Sequence, residues 1–238
     1  MPAVVIAIIA MFCAVHAVRI WLLAPDTDLE FLLLFAFIPV RYDESLLIAG
    51  TLPGGWAANI WTFVTYAFVH ADLMHLGFNS VWFLAFGSAV ARRFGPGRFV
   101  AFFAVTSAAG AAAHLLTHPG ELQPMIGASA AVSGAMAGAF RFMFQPGGPL
   151  RGFGYASNDN QVPAITLTEM VRDVRIVTVI AVWFGVNLLF GLGSVPITGA
   201  EQPVAWQAHV GGFLAGLLLF GAFDPVAARP QKDDRTEL

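Results

Sequence analysis

Two hydroxyls one helical turn apart, Ser129 and Ser133, lie in a run of almost wholly small residues from Met125 to Gly138. A serine hydroxyl is a weak nucleophile until a base takes its proton, and histidine is the usual base near neutral pH. His209 opens a second small-residue run and is the candidate base. His75 and Asn79, at i and i+4, share one helix face and can aim two N–H donors at an oxyanion. Pro124 and Gly127 predict a backbone break just before the serine run. Ser129 is therefore expected in the first helical turn, where unpaired N–H groups and the helix dipole favour negative charge. The chemistry open to such a set is covalent acyl transfer. No carboxylate is expected at that depth, which favours a Ser-His dyad over a triad.

The elements that must position these groups follow from composition. The chain has 238 residues, of which 58% are hydrophobic and 11% charged, with a mean hydropathy of +0.72. A soluble domain carries nearer a quarter charged residues, so this composition is that of an integral membrane protein. A net charge of −3 without basic clusters leaves no nucleic-acid footprint. The lone Cys13, in an apolar run, offers neither a disulfide nor a cysteine metal site. Six segments approach the ~20 residues needed to cross a ~30 Å hydrocarbon core. They fall at about 3–23, 73–91, 98–116, 127–144, 174–192 and 206–223. The fold class expected is an all-α, six-helix membrane bundle. It forms a single domain over 1–224, followed by a tail at 225–238. The first segment lacks a basic leader and is too long for a signal h-region, so it reads as an uncleaved helix.

Lys and Arg set the orientation. Arg92, Arg93, Arg98, Arg141, Arg151, Arg172, Arg175, Arg229, Lys232 and Arg235 fall on one side, 10 of the 12 basic residues; Arg19 and Arg41 fall on the other. By the positive-inside rule both termini are expected in the cytoplasm. The outward connection 24–72 holds an apolar Phe31–Val40 stretch too short to span, then the aromatic Trp56–Trp61. It is expected to lie partly in the outer leaflet. The inward connection 145–173, with Gly147, Gly148 and Pro149, reads as a flexible loop.

Polar side chains inside spanning helices are costly, and each is a candidate for function. A rise of ~1.5 Å per residue gives their depths from the cytoplasmic boundaries. Asn79 lies ~20 Å and His75 ~25 Å above Arg92, Ser129 ~18 Å above Arg141, and His209 ~22 Å above Asp224. The four groups thus share one layer toward the outer side. Ser133 lies a turn deeper, at ~12 Å. Asn187, on the fifth span, reads as a helix–helix hydrogen bond. Ala130, Gly134 and Gly138 on the fourth span, and Ala208, Gly212 and Gly216 on the sixth, are spaced by four and allow close backbone approach. Packing of these faces would bring Ser129 near His209.

With these pieces assembled, the chain resembles the rhomboid family of intramembrane serine proteases over roughly residues 60–220. The likeness is carried by His70-Ala-Asp-Leu-Met-His75-Leu-Gly-Phe-Asn79, Gly127-Ala-Ser129 and Ala208-His209-Val-Gly-Gly212 followed by Gly216. The resemblance implies that Ser129 is the nucleophile and His209 the general base. It further implies that His75 and Asn79 help form the oxyanion hole, and that His70 and Gly127 support the site. It also implies transmembrane protein substrates that enter laterally from the lipid bilayer and are cleaved toward the outer membrane face. A bacterial inner membrane is the expected setting, and no cofactor is implied. Two departures stand out. Gly-x-Ser-Gly in the family reads Gly127-Ala-Ser129-Ala130 here, and the first-loop Trp-Arg pair is replaced by Arg41-Tyr42 alone. Two other readings compete. A non-catalytic, helix-binding chaperone is disfavoured because both Ser129 and His209 are present. A metal or haem protein would use His114 and His118, at i and i+4. Missing Cys ligands, scarce carboxylates and the poor His70–His75 spacing disfavour it.

Overall fold

The computed structural model describes residues 1–43, 45, 52–149, 161–191 and 205–226. It is a bundle of helices, and its one β-bridge among the described residues joins Phe37 to Met125. Helix α1 (Ala3–Trp21) buries Val5, Ile8, Phe12, His16 and Arg19. That stripe has helical spacing, and the rest of the surface is left for lipid. α2 (Pro25–Phe35) starts on a proline with Asp26 and Asp28 in its first turn, where both complement the helix dipole. A tight 3-10 turn, Pro39–Tyr42, and α3 (Gly55–Thr65) follow.

The described residues of the connection 24–72 pack on one another. Trp61 Nε1 donates to Leu34 O at 2.8 Å and Thr65 Oγ1 to Phe35 O at 2.8 Å. Arg41 is buried and donates to the carbonyls of Leu33 and Pro53. Tyr42 donates to Asn59 O at 3.0 Å. The Arg41-Tyr42 pair therefore closes the loop by capping its carbonyls. Trp56, Ile60 and Trp61 remain on the exposed apolar face.

α4 (Leu73–Trp82), a π-helical turn Phe83–Gly87 and α5 (Ser88–Phe94) form one rod. α6 (Pro96–Thr117) restarts the chain after Gly95. These rods, α1 and α10 (Trp206–Phe223) are long and apolar enough to cross a membrane; α9 (Val174–Gly191) is apolar and of similar length. The fourth span, expected over 127–144, is helical only over α7 (Ser129–Phe140). Twelve residues rise ~18 Å, short of a ~30 Å core. Residues 130 to 140 of α7 are all buried, so its neighbours wrap a short central helix.

In the connection 145–173, read from sequence as a flexible loop, the described stretch 161–173 is held in place. α8 (Leu167–Arg172) is fixed by a capping box between Thr166 and Glu169. Ile165 N donates to Arg141 O at 2.8 Å, and Arg93 donates to Val162 O at 2.7 Å. Residues 150–160 lie outside the described residues. At this same end Arg93 holds Asp224 in a bidentate pair at 2.8 Å, beneath the Phe142 ring, and joins α5 to the end of α10. Two of the arginines used to orient the chain, Arg93 and Arg141, thus also serve internal bonds. Arg19 does so at the other end, bound to Asp28 at 2.7 Å and to His70 O at 2.9 Å.

Candidate active site

The approach to Ser129 is an extended segment held by backbone bonds. Phe37 and Met125 exchange backbone bonds at 3.1 and 2.8 Å, and Gly127 N donates to Tyr66 O at 3.0 Å. Gly127 then turns at φ 111°, a conformation open chiefly to glycine. Ser129 is the first residue of α7, and Ala128 before it provides no side-chain cap. The first-turn N–H groups therefore have no side-chain acceptor at the helix start.

Ser129 Oγ lies 2.7 Å from His209 Nε2. The other ring nitrogen, Nδ1, bonds to Asn187 Oδ1. Asn187 Nδ2 in turn donates to Trp183 O at 2.7 Å. The amide orientation follows, because its nitrogen is already directed at a carbonyl. An amide oxygen can only accept, so the His209 proton resides on Nδ1 and Nε2 presents a lone pair to the serine hydroxyl. One turn deeper, Trp183 stacks on Phe213 with centroids 4.9 Å apart, which keeps α9 against α10 below the polar pair.

Helix approach sets the serine–histidine distance. A β-carbon on Gly212 would collide with the carbonyl of Ala130, and one on Gly216 with the carbonyl of Gly134. α7 and α10 thus touch backbone to backbone along the small-residue faces. The methyl group of Ala130, where the resemblance implies glycine, is 1% exposed and lies where a β-carbon on Gly110 of α6 would be. It fills the seam with α6, and Gly110 makes the room.

His75 and Asn79 stand beside Gly127. A β-carbon on Gly127 would lie 2.5 Å from His75 Nε2 and 3.7 Å from Asn79 Nδ2. Asp72 caps α4 by accepting from His75 N at 2.8 Å. The Ala71 N–H points at His75 Nδ1 over a long 3.5 Å, which makes Nδ1 the acceptor and leaves the proton on Nε2. Asn79 Nδ2 also donates to His75 O at 3.0 Å. His70 is fully buried, with its ring 5.2 Å from that of His75 and 5.1 Å from Phe12. Its carbonyl takes the bonds from Arg19 and from His16, the latter at 3.3 Å. His70 thus braces His75 from behind.

Ser133 does not join the set, since its hydroxyl donates to Ser129 O at 2.7 Å. His114 and His118 lie apart, at the end of α6. An open cleft lined by His16, Ile20 and Ala71 to Met74 lies on the α1 side and includes neither Ser129 nor His209. Sequence reasoning treated Asn187 as a helix–helix bond, which it is, without seeing that its partner is His209. The depth argument contained the signal. Asn187 lies 12 residues beyond Arg175, or ~18 Å, at the Ser129 level. Asp72 and Arg19 are not among the expected site residues, although Asp72 stands directly before the helix start, where caps belong.

The family model described as the rhomboid domain matches residues 57–223. Among curated proteins, the chain is similar to a rhomboid protease GlpG of Enterobacter sp. (strain 638). The two are 32% identical over 71 residues, covering 29% of this chain and 26% of that protein. It is also similar to a rhomboid protease GlpG of Salmonella choleraesuis (strain SC-B67). Here the identity is 35% over 48 residues, 20% of this chain and 17% of that protein. The matched stretches thus span about a quarter or less of these relatives.

Proposed function

The chain belongs to the rhomboid family, and from that premise we propose that it is an intramembrane serine endopeptidase that cleaves transmembrane protein substrates. The observation that carries the reading is the 2.7 Å contact of Ser129 Oγ with His209 Nε2, on an imidazole whose other nitrogen is held by Asn187. His209 Nε2 takes the hydroxyl proton as Ser129 Oγ adds to the scissile carbonyl. The resulting oxyanion is held by His75 Nε2–H, Asn79 Nδ2–H and backbone N–H groups at the start of α7. The imidazolium then returns the proton to the leaving amine. An acyl-enzyme remains, and water, deprotonated by the same Nε2, releases it. Asn187 is neutral, so it positions the ring without adding charge. His70 and Gly127 support His75 in its donor pose.

Charge distribution supports both termini in the cytoplasm and the site toward the outer face; the membrane proposed is a bacterial inner membrane. Water must reach Ser129, which lies partly open at the outer end of a helix too short to span. The test is reaction with a serine-directed fluorophosphonate and location of the adduct, with cleavage of a single-helix substrate in proteoliposomes. Adduct at Ser129, and no cleavage by Ser129→Ala or His209→Ala in folded protein, are expected. An adduct at Ser133, or full activity in either variant, overturns the assignment.

A further inference from the structure

We propose that His114, His118 and Glu121 form a binding site for one divalent transition-metal ion of the zinc class, separate from the Ser129 site. One ligand atom from each of the three residues lies within 4.8 Å of the others. The local sequence builds this cluster. His114 and His118 are one turn apart at the end of α6, with rings stacked at 4.6 Å. His118-Pro119-Gly120-Glu121 then makes a tight turn. Gly120 has φ 73° and Glu121 N donates to His118 O at 3.3 Å, the pattern of a type II turn with proline and glycine at its centre. The turn folds the Glu121 carboxylate back over the helix end.

Two further observations point to a ligand there. Glu121 Oε2 is buried without a hydrogen-bond partner among the described residues, and the His114 ring beside it is only 5% exposed. His114 Nε2 and Glu121 Oε2 are 3.6 Å apart. That is long for a hydrogen bond, and close to the ~3.3 Å that separates two ligands of a tetrahedral ion with bonds of ~2.0 Å. The contact is an ion pair only if His114 is protonated. The Nδ1 of His118 already has a partner. Thr117 Oγ1 donates to Ala113 O at 2.9 Å and so accepts from His118 Nδ1, also at 2.9 Å. This leaves the His118 Nε2 lone pair free, the outer-shell arrangement typical of histidine ligands. Two histidines and one carboxylate suit zinc and leave a fourth position for water. An ion there would tie the end of α6 to the loop leading to Ser129. That loop is anchored by Glu121 O, which accepts from Val40 N at 2.9 Å.

The test uses the full chain in detergent, purified without a polyhistidine tag, loaded with Zn²⁺ or Co²⁺ and freed of excess metal. About one ion per chain is expected, with the intense visible absorption of tetrahedral Co²⁺. His118→Ala and Glu121→Gln, both at partly exposed positions, should lose the ion while keeping helical content and monodispersity. Thr117→Val, which touches no metal, should weaken binding by about 10- to 100-fold. Absence of stoichiometric metal, or the same Co²⁺ spectrum and stoichiometry in both ligand variants, overturns the proposal and leaves a His–Glu ion pair only. Cleavage activity is not the readout, so failure here is distinguishable from failure of the protease reading.

Discussion

Asn187 holds the Nδ1 face of His209 from a neighbouring helix, on the opposite edge of the ring from Ser129. The bond fixes both the tautomer and the plane of the imidazole. It does for this ring what a buried carboxylate does in a triad, without stabilising the imidazolium by charge.

Asn187→Ala should therefore lower kcat by about 100-fold, short of the ~10⁴-fold loss that follows when an orienting group enforces the wrong tautomer. KM for a single-helix substrate should change little, because Asn187 touches the ring and not the peptide. Asn187→Asp, which keeps an acceptor at the same place, should recover part of the rate. Steady-state cleavage in proteoliposomes separates the two quantities. A loss confined to KM would remove Asn187 from the positioning role.

Asn79→Ala should reduce kcat by up to the 10²–10³-fold cost of one lost oxyanion donor, less where His75 Nε2–H and the backbone compensate. Fluorophosphonate labelling of Ser129 should persist in this variant. A rate matching that of an exposed control such as Leu122→Ala would exclude Asn79 from the chemistry.

The seam around Ala130 makes a paired prediction. Gly110→Ala places a methyl group onto that of Ala130 and should cost about 1–3 kcal/mol, as overpacking does. Ala130→Gly should be tolerated, and added to Gly110→Ala it should restore part of the loss. Restoration stays incomplete because the new β-carbon still lies 2.9 Å from Ala208 O. Thermal unfolding of the four proteins in detergent gives the coupling. Strict additivity would mean that the two residues do not share the space.

Gly127→Ala combines a positive φ with a β-carbon 2.5 Å from His75 Nε2. It should destabilise by about 1–2 kcal/mol from backbone strain alone, and displace His75. Cleavage should fall further than the stability change accounts for. A variant that retains full kcat would show that the His75 position is immaterial.

Asp224→Asn leaves the buried Arg93 guanidinium without its carboxylate. Breaking a buried pair from one side costs about 3–5 kcal/mol. The variant should unfold at distinctly lower temperature, with Ser129 chemistry intact in the folded fraction. Replacing both residues with apolar ones should recover much of the loss. An unchanged midpoint in Asp224→Asn would show that the pair contributes nothing.

Much of the fold follows from amino-acid order alone because membrane-spanning helices obey one-dimensional rules. Apolar run length determines what can span, and constant rise per residue converts numbering into depth. This is why Asn79, His75, Ser129 and His209 could be placed in one layer. Spacing-four small residues likewise announced that the faces of Gly134 and Gly216 could meet. The Thr166-x-x-Glu169 capping box is also legible, although Gly147, Gly148 and Pro149 made the connection read as a loop.

Depth says nothing about azimuth, and azimuth required the tertiary structure. Ser129 and Ser133 are one turn apart on one helix. Only the packing of α10 shows that the first hydroxyl meets His209 while the second closes on a backbone carbonyl. The same holds for Asn187, whose partner depends on the rotation of α9, and for Ala130, whose methyl group is accommodated because α6 presents Gly110. The residues of the candidate site, and the level at which they lie, belong to the sequence. Which atoms touch was decided by helices rotating until backbones met along glycine, because side-chain contacts across three helices depend on angles that no linear spacing encodes.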